Sequence, residues 1–153
     1  MTQPKLPRLN FPPISLKARR GEGAISVWDS LRKIYVVLTP EEWVRQHLIA
    51  FLLTQMQITP LQIVVEYSVK VNGQSQRADI VVIDRAGRPS ILVECKAPEV
   101  KISQSTLDQA VRYNSVVGAR YLILTNGLSH HIYQFDSENS QYRELQSFEQ
   151  IRG

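Results

Sequence analysis

Two carboxylates and an ammonium stand in a stretch that is otherwise mostly apolar. Residues 77–98 read RADIVVIDRAGRPSILVECKAP, with Asp79 in the first half and Glu94 and Lys96 in the second. Burying a charge is costly unless the charge is paired or bound to an ion. Side chains alternate faces along a strand, so Glu94 and Lys96 share one face and Cys95 takes the other. Asp79, on the neighbouring strand, can join Glu94 and Lys96. Adjacent carboxylates repel unless a divalent cation lies between them, and Mg²⁺ takes carboxylate and carbonyl oxygens together with waters. A lysine beside such a cation can polarise an attacking water, and the cation can stabilise charge on a phosphoryl oxygen. The chemistry that suits this trio is metal-assisted phosphodiester hydrolysis. The plainer account is a structural Glu–Lys pair at a strand end, with Asp79 in a turn.

The elements that must position these residues follow from periodicity. Residues 78–84 and 90–96 are predicted strands joined by RAGRP. Upstream, LQIVVEYSVKV is a long strand and NGQSQ a turn. TPEEWVRQHLIAFLLTQM is an amphipathic helix of about four turns. Thr39 is its N-cap, Pro40 its first residue, and Glu42 completes a T-x-x-E capping box. Residues 103–117 form a second helix, begun by Ser103 or Ser105 and stopped by Gly118. Its apolar stripe holds Leu107, Ala110, Val111, Asn114 and Val117. RYLILT, HIYQFD and QYREL are strands, and AISVWDSLRKIYVVL is an N-terminal hairpin turning near Asp29 to Arg32. The order β-β-α-β-β-β-α-β-β-β implies an α/β fold, a mixed sheet flanked by helices. Residues 1–24 hold four of the eight prolines and the basic run KARR, and are expected to be an arm that lies over the domain or is partly mobile. Residues 25–153 are then the domain.

Composition narrows the classes. The chain has 153 residues, one cysteine and a net charge of +4. One domain with one core fits that length. A lone cysteine excludes an internal disulfide and suits a reducing cytoplasm. No segment approaches the roughly 20 apolar residues of a membrane span, and the start lacks the apolar core of a signal peptide. The positive balance is compatible with a polyanionic partner.

D-x14-E-x-K on adjacent strands resembles the PD-(D/E)xK nuclease superfamily, with RAD in place of the usual proline and aspartate. The next helix adds DQAVRYN, which sets Gln109 and Tyr113 at i and i+4, on a stripe beside the apolar one. Q-x3-Y after the E-x-K strand is similar to RecB-like nucleases and to the N-terminal nuclease domain of type I restriction enzyme R subunits. The run LVECKAPEVKIS…LDQAVRYN…YLILTNG looks closest to the latter, and the likeness covers roughly residues 34–136. It implies a restriction-endonuclease-like fold and a Mg²⁺-dependent DNA endonuclease, with Mn²⁺ able to substitute. Asp79, Glu94 and the Cys95 backbone carbonyl would then be metal ligands, and Lys96 would activate water. Gln109 would hold the Lys96 amine or a phosphate, and Tyr113 would contact the DNA backbone. An acid on the first helix completes such sites: Glu42 here, or Glu41 in its place.

Other charged residues have plainer explanations beside the functional ones. Glu66, in VVEYS, is a further ligand candidate or a solvent-facing strand residue. Arg77 and Lys101 are candidate phosphate contacts or solvated charges, as are Lys17, Arg19 and Arg20. His47, His130 and His131 fit packing better than metal binding. No G-x4-G-K-[ST] occurs, so the residues at hand carry no ATPase motor. The expected partners are DNA, other restriction-system subunits or a motor protein, and a second copy in a homodimer. The alternative function is a non-catalytic DNA-binding or assembly module. An RNA-directed nuclease is weaker, because no aromatic platform for RNA is evident.

Overall fold

The computed structural model describes residues 6–152. Six strands form one mixed sheet in sequential order: β4 (Ile63–Val71), β5 (Gln74–Ile83), β6 (Pro89–Cys95), β7 (Tyr121–Thr125), β8 (His130–Asp136) and β9 (Gln141–Leu145). Only β6 and β7 run parallel, and the helix α2 (Gln104–Val117) makes their crossover. The other helix, α1 (Pro40–Thr54), packs on the opposite face. The core is therefore split by the sheet. Val44, Leu48 and Leu52 of α1 meet Ile80, Val82, Ile91 and Val93 on one side. Ala110 and Tyr113 of α2 meet Val81, Leu92, Leu122 and Leu124 on the other. This is the α/β architecture that the sequence predicts.

Local chemistry sets the ends of these elements. Thr39 Oγ1 accepts the Glu42 N–H at 3.0 Å, and Pro40 opens α1. Gly118 closes α2 in the left-handed region at φ 76°, where glycine carries no Cβ penalty. Asn72 and Gly73 both have positive φ between Val71 and its partner Gln74, as a two-residue hairpin turn requires. The predicted turn NGQSQ is therefore too long, and Gln74–Gln76 already belong to β5.

The amino-terminal region departs further from expectation. Its predicted hairpin is β2 (Ala24–Asp29) and β3 (Ile34–Val37), but Ala18–Gly21 adds a strand, β1, to make a separate three-stranded sheet. The arm before β1 does lie over the domain, as one of the two expected arrangements has it. Leu9 is buried in the core, Asn10 N–H donates to Gly127 O at 2.7 Å, and Trp43 Nε1–H donates to Pro7 O at 2.8 Å. Among the described residues no helix is long and apolar enough to cross a membrane.

Candidate active site

Asp79 and Glu94 face each other where the β5–β6 ladder ends. The last registered pair is Ile80 with Val93, and antiparallel neighbours project to the same face. Past that pair the Asp79 carboxylate replaces a ladder partner, its Oδ2 accepting the Cys95 N–H at 2.7 Å. Oδ1 accepts from Arg45 Nη2 at 3.0 Å. Each carboxylate oxygen has two acceptor sites, so both retain capacity. Glu94 is buried, and its Oε1 has no hydrogen-bond partner. Burial, and next the Asp79 carboxylate, push its carboxyl up from 4.5 to about 9, against the pull of Lys96. The half-buried Lys96 is anchored by its N–H to Thr125 O at 2.8 Å. Cys95 packs in the core on the α1 side, where burial raises its thiol far above the ordinary value.

The first helix brings two acids, which the structure uses differently. Glu42 makes only half of the expected capping box. Its carboxylate does not turn back to Thr39 but takes Arg32 Nη2 at 3.0 Å, Arg45 Nη1 at 3.2 Å and Gln46 Nε2 at 3.0 Å. Glu41 Oε1 lies 3.9 Å from Arg45 Nη2, the nitrogen that also meets Asp79. Burial raises its carboxyl, the Asp79 charge raises it further, and Arg45 and Lys96 oppose the rise. The fallback residue Glu41 therefore stands in the field of Asp79 and Lys96.

A lattice of charges behind the site holds α1 against the β2–β3 turn. Asp29 accepts the N–H groups of Leu31 and Arg32, the Arg32 side chain and Gln46 Nε2. Burial alone would raise the Asp29 carboxyl, but the Arg32 N–H and guanidinium hold it below its ordinary value. Glu66 lies in the same lattice, 3.5–3.8 Å from Arg32, Arg45 and Arg77. It adopts φ 56° between the registered pairs Val65–Ile80 and Tyr67–Ala78, opposite Asp79. A left-handed glutamate inside a strand costs on the order of 1–3 kcal/mol, strain that concentrates at functional sites.

Gln109 and Tyr113 line a separate groove of about 480 Å³ between α2 and the start of β5. Gln109 Nε2 donates to Tyr113 Oη at 3.0 Å. Tyr113 Oη in turn donates to Gln76 Oε1 at 3.5 Å. The predicted separation of Tyr113 from the apolar stripe is incorrect. Its ring is 6% exposed and packs in the second core, because position 113 follows Thr106 and Ala110 on the inward face. Arg77 is exposed and pairs with Glu66, and Lys101 lies on the exposed loop before α2. His47 contacts Trp43 and Phe11, and His130 bonds Thr125 and Asn10, both structural roles.

Arg45 escaped the sequence reading. A signal for it exists, since it follows Glu41 and Glu42 at i+4 and i+3, the spacings of helical ion pairs. Nothing local reveals that its guanidinium reaches Asp79.

The arrangement can be tested for fit to a divalent cation. Among the described residues no group of three or more His, Cys, Asp or Glu side chains is placed to hold a metal ion. Mg²⁺ does not need one, since it keeps several waters and takes one or two carboxylates plus substrate phosphate. The orphaned Glu94 Oε1 beside Asp79 is the kind of acceptor that such an ion satisfies.

Comparison with known proteins adds to this geometry. Residues 40–148 match the family model described as type I restriction enzyme R protein N terminus. Among solved structures, a fragment assigned as an HsdR subunit of a type I restriction enzyme from Vibrio vulnificus YJ016 superposes with a TM-score of 0.50. It shares 24% identity, a likeness of fold, over 71% of this chain and 23% of that one. The chain thus spans less than a quarter of that fragment's length. No curated protein matches.

Proposed function

Because the chain belongs to the type I restriction enzyme R protein N-terminal family, we propose that it is the Mg²⁺-dependent endonuclease module of a restriction system, hydrolysing DNA phosphodiesters. The observation that carries the proposal is the buried, unpartnered Glu94 Oε1 held beside Asp79 with Lys96 on the same strand end. Asp79 and Glu94 would hold Mg²⁺, or Mn²⁺ in its place, with the Cys95 carbonyl as a further donor. When bound, the ion supplies a Lewis acid for the phosphoryl oxygen and lowers the pKa of water.

The chain's own residues do the rest. Arg45 and the Cys95 N–H fix the Asp79 carboxylate from two directions. Lys96, anchored through its backbone, orients the attacking water. Glu41 replaces Glu42 as the helix acid that completes the site, because Glu42 is committed to Arg32, Arg45 and Gln46. The Gln109–Tyr113–Gln76 hydrogen-bond chain presents polar groups to the DNA backbone along its groove. Arg77 and Lys101 add phosphate contacts, which position DNA without reading sequence. Targeting would come from other subunits or a motor, so the isolated chain would be a slow, unselective nuclease.

The test is nicking of supercoiled plasmid with Mn²⁺ and no other protein. Slow nicking by the wild type, lost in both Glu94→Gln and Lys96→Ala with folding retained, is the expected result. Equal activity in both variants and the wild type would rule out this site. DNA binding with no cleavage under any divalent cation would leave the non-catalytic assembly module.

A further inference from the structure

The three-stranded amino-terminal sheet turns one face to solvent, and its composition is unusual for a surface with no partner. Val27 and Asp29 point inward and are buried, so Trp28 between them points out. Trp28 is registered with Tyr35 of β3, and the two rings meet edge-on with centroids 5.2 Å apart. Lys17 extends that row, its carbonyl accepting the Trp28 N–H at 2.8 Å. The next row is Arg19, Ser26 and Val37. The Arg19 guanidinium carbon lies over the Tyr35 ring, 3.9 Å from its centroid. Trp28 remains 36% exposed and Val37 55%. Neither row contains a carboxylate: Asp29 faces the interior, and Glu22 sits in the β1–β2 turn.

We propose that this face binds an unpaired stretch of single-stranded nucleic acid, one base stacking on Trp28 and the flanking phosphates meeting Arg19 and Lys17. Exposed aromatic rings interleaved with cations are the elements of sequence-tolerant single-strand binding, since every base has a π-face and every linkage a charge. Stacking on Tyr35 pre-sets the Arg19 fork, so less freedom is lost when it takes a phosphate. Lys17 belongs to the same row as Trp28, and lysine is depleted in protein–protein interfaces, whereas a phosphate backbone takes it as a counter-charge. The face is connected to the site through the chain: β3 leads straight into α1, whose first turn carries Glu41, and the β2–β3 turn is tied to Glu42 through Arg32. Strand pairing supplies the aromatic platform.

The proposal goes beyond nuclease activity and is tested without it, in EDTA, so that either can fail alone. Fluorescently labelled dT12 and rU12 are titrated at low salt and followed by anisotropy, with tryptophan quenching read in parallel. The wild type should bind and quench, and the tighter of the two oligonucleotides identifies the natural strand. Trp28→Ala should weaken binding by about tenfold or more, and Arg19→Ala should weaken it and reduce the salt slope by about one unit. Glu94→Gln should bind like the wild type. Undiminished affinity in Trp28→Ala, or a 12-bp duplex competing better than dT12, would overturn the proposal. An absence of oligonucleotide binding would also overturn it and leave the face to a protein partner.

Discussion

Arg45 Nη2 lies 3.0 Å from Asp79 Oδ1, and this contact joins the first helix to the strand that carries the site. The same guanidinium spans 3.2 Å to Glu42, so one cation serves two largely buried acids.

Arg45→Met should therefore destabilise the fold more than an ordinary surface change. It leaves Asp79 and Glu42 short of a partner, and breaking a buried pair from one side costs about 3–5 kcal/mol. Urea unfolding measures this. A loss below about 1 kcal/mol, the worth of an exposed pair, would mean that water already screens the cluster.

Stability should fall with rising pH through Glu94. Its carboxyl titrates at 4.5 when unpaired in water and at about 9 in the fold. Between those values the folded chain binds a proton that the unfolded chain has released. The stabilisation is complete below 4.5 and is lost as pH climbs to about 9, by up to about 1.4 kcal/mol per pH unit. Glu94→Gln mimics the protonated form and should flatten this dependence while raising Tm at pH 8. An unchanged slope in the variant would assign the dependence to another group.

Divalent cation should act against that proton. Millimolar Mg²⁺ should raise the wild-type Tm, by about 2.7 kcal/mol of stability at 100 times Kd. The rise should be larger at pH 8.5 than at pH 6.5, since Glu94 must ionise before it can ligate. Glu94→Gln should show little shift. Equal shifts in both proteins, followed by thermal denaturation, would place the bound ion elsewhere.

The two first-turn acids should separate cleanly. Glu42→Gln breaks contacts to Arg32 and Arg45 and should lower stability by about 1–3 kcal/mol. Glu41→Gln loses only a half-exposed contact to Arg45 at 3.9 Å and should leave stability within about 0.5–1 kcal/mol of wild type while reducing Mn²⁺-dependent nicking at least tenfold. Paired melting and nicking assays distinguish the two, and full activity in Glu41→Gln would remove it from the site.

Much of the site was legible because its signals are local. The E-x-K alternation, the Asp79 strand and the Thr39 and Gly118 caps each need only a few neighbouring residues. What escaped depends on partners distant in sequence. The four residues ARRG are exposed and carry no apolar alternation, and only pairing with β2 makes them a strand. The T-x-x-E pattern predicts the Thr39–Glu42 backbone bond but cannot say that three other side chains compete for the Glu42 carboxylate. Tyr113 was assigned by its phenol, whereas its ring decides where it sits.

The docked segment around Leu9 has a bearing on how this module can be moved. Family likeness begins at residue 40, yet Leu9, Val27 and Asp29 lie among the most buried side chains. A Cβ added at Gly127 would come within 2.7 Å of Leu9, so the loop after β7 is shaped around that side chain. The stretch that matches the family model is thus shorter than the stretch that folds together. A graft or fusion cut at residue 40 would transplant every acid and the lysine of the site, but it would leave behind the scaffold that aims them.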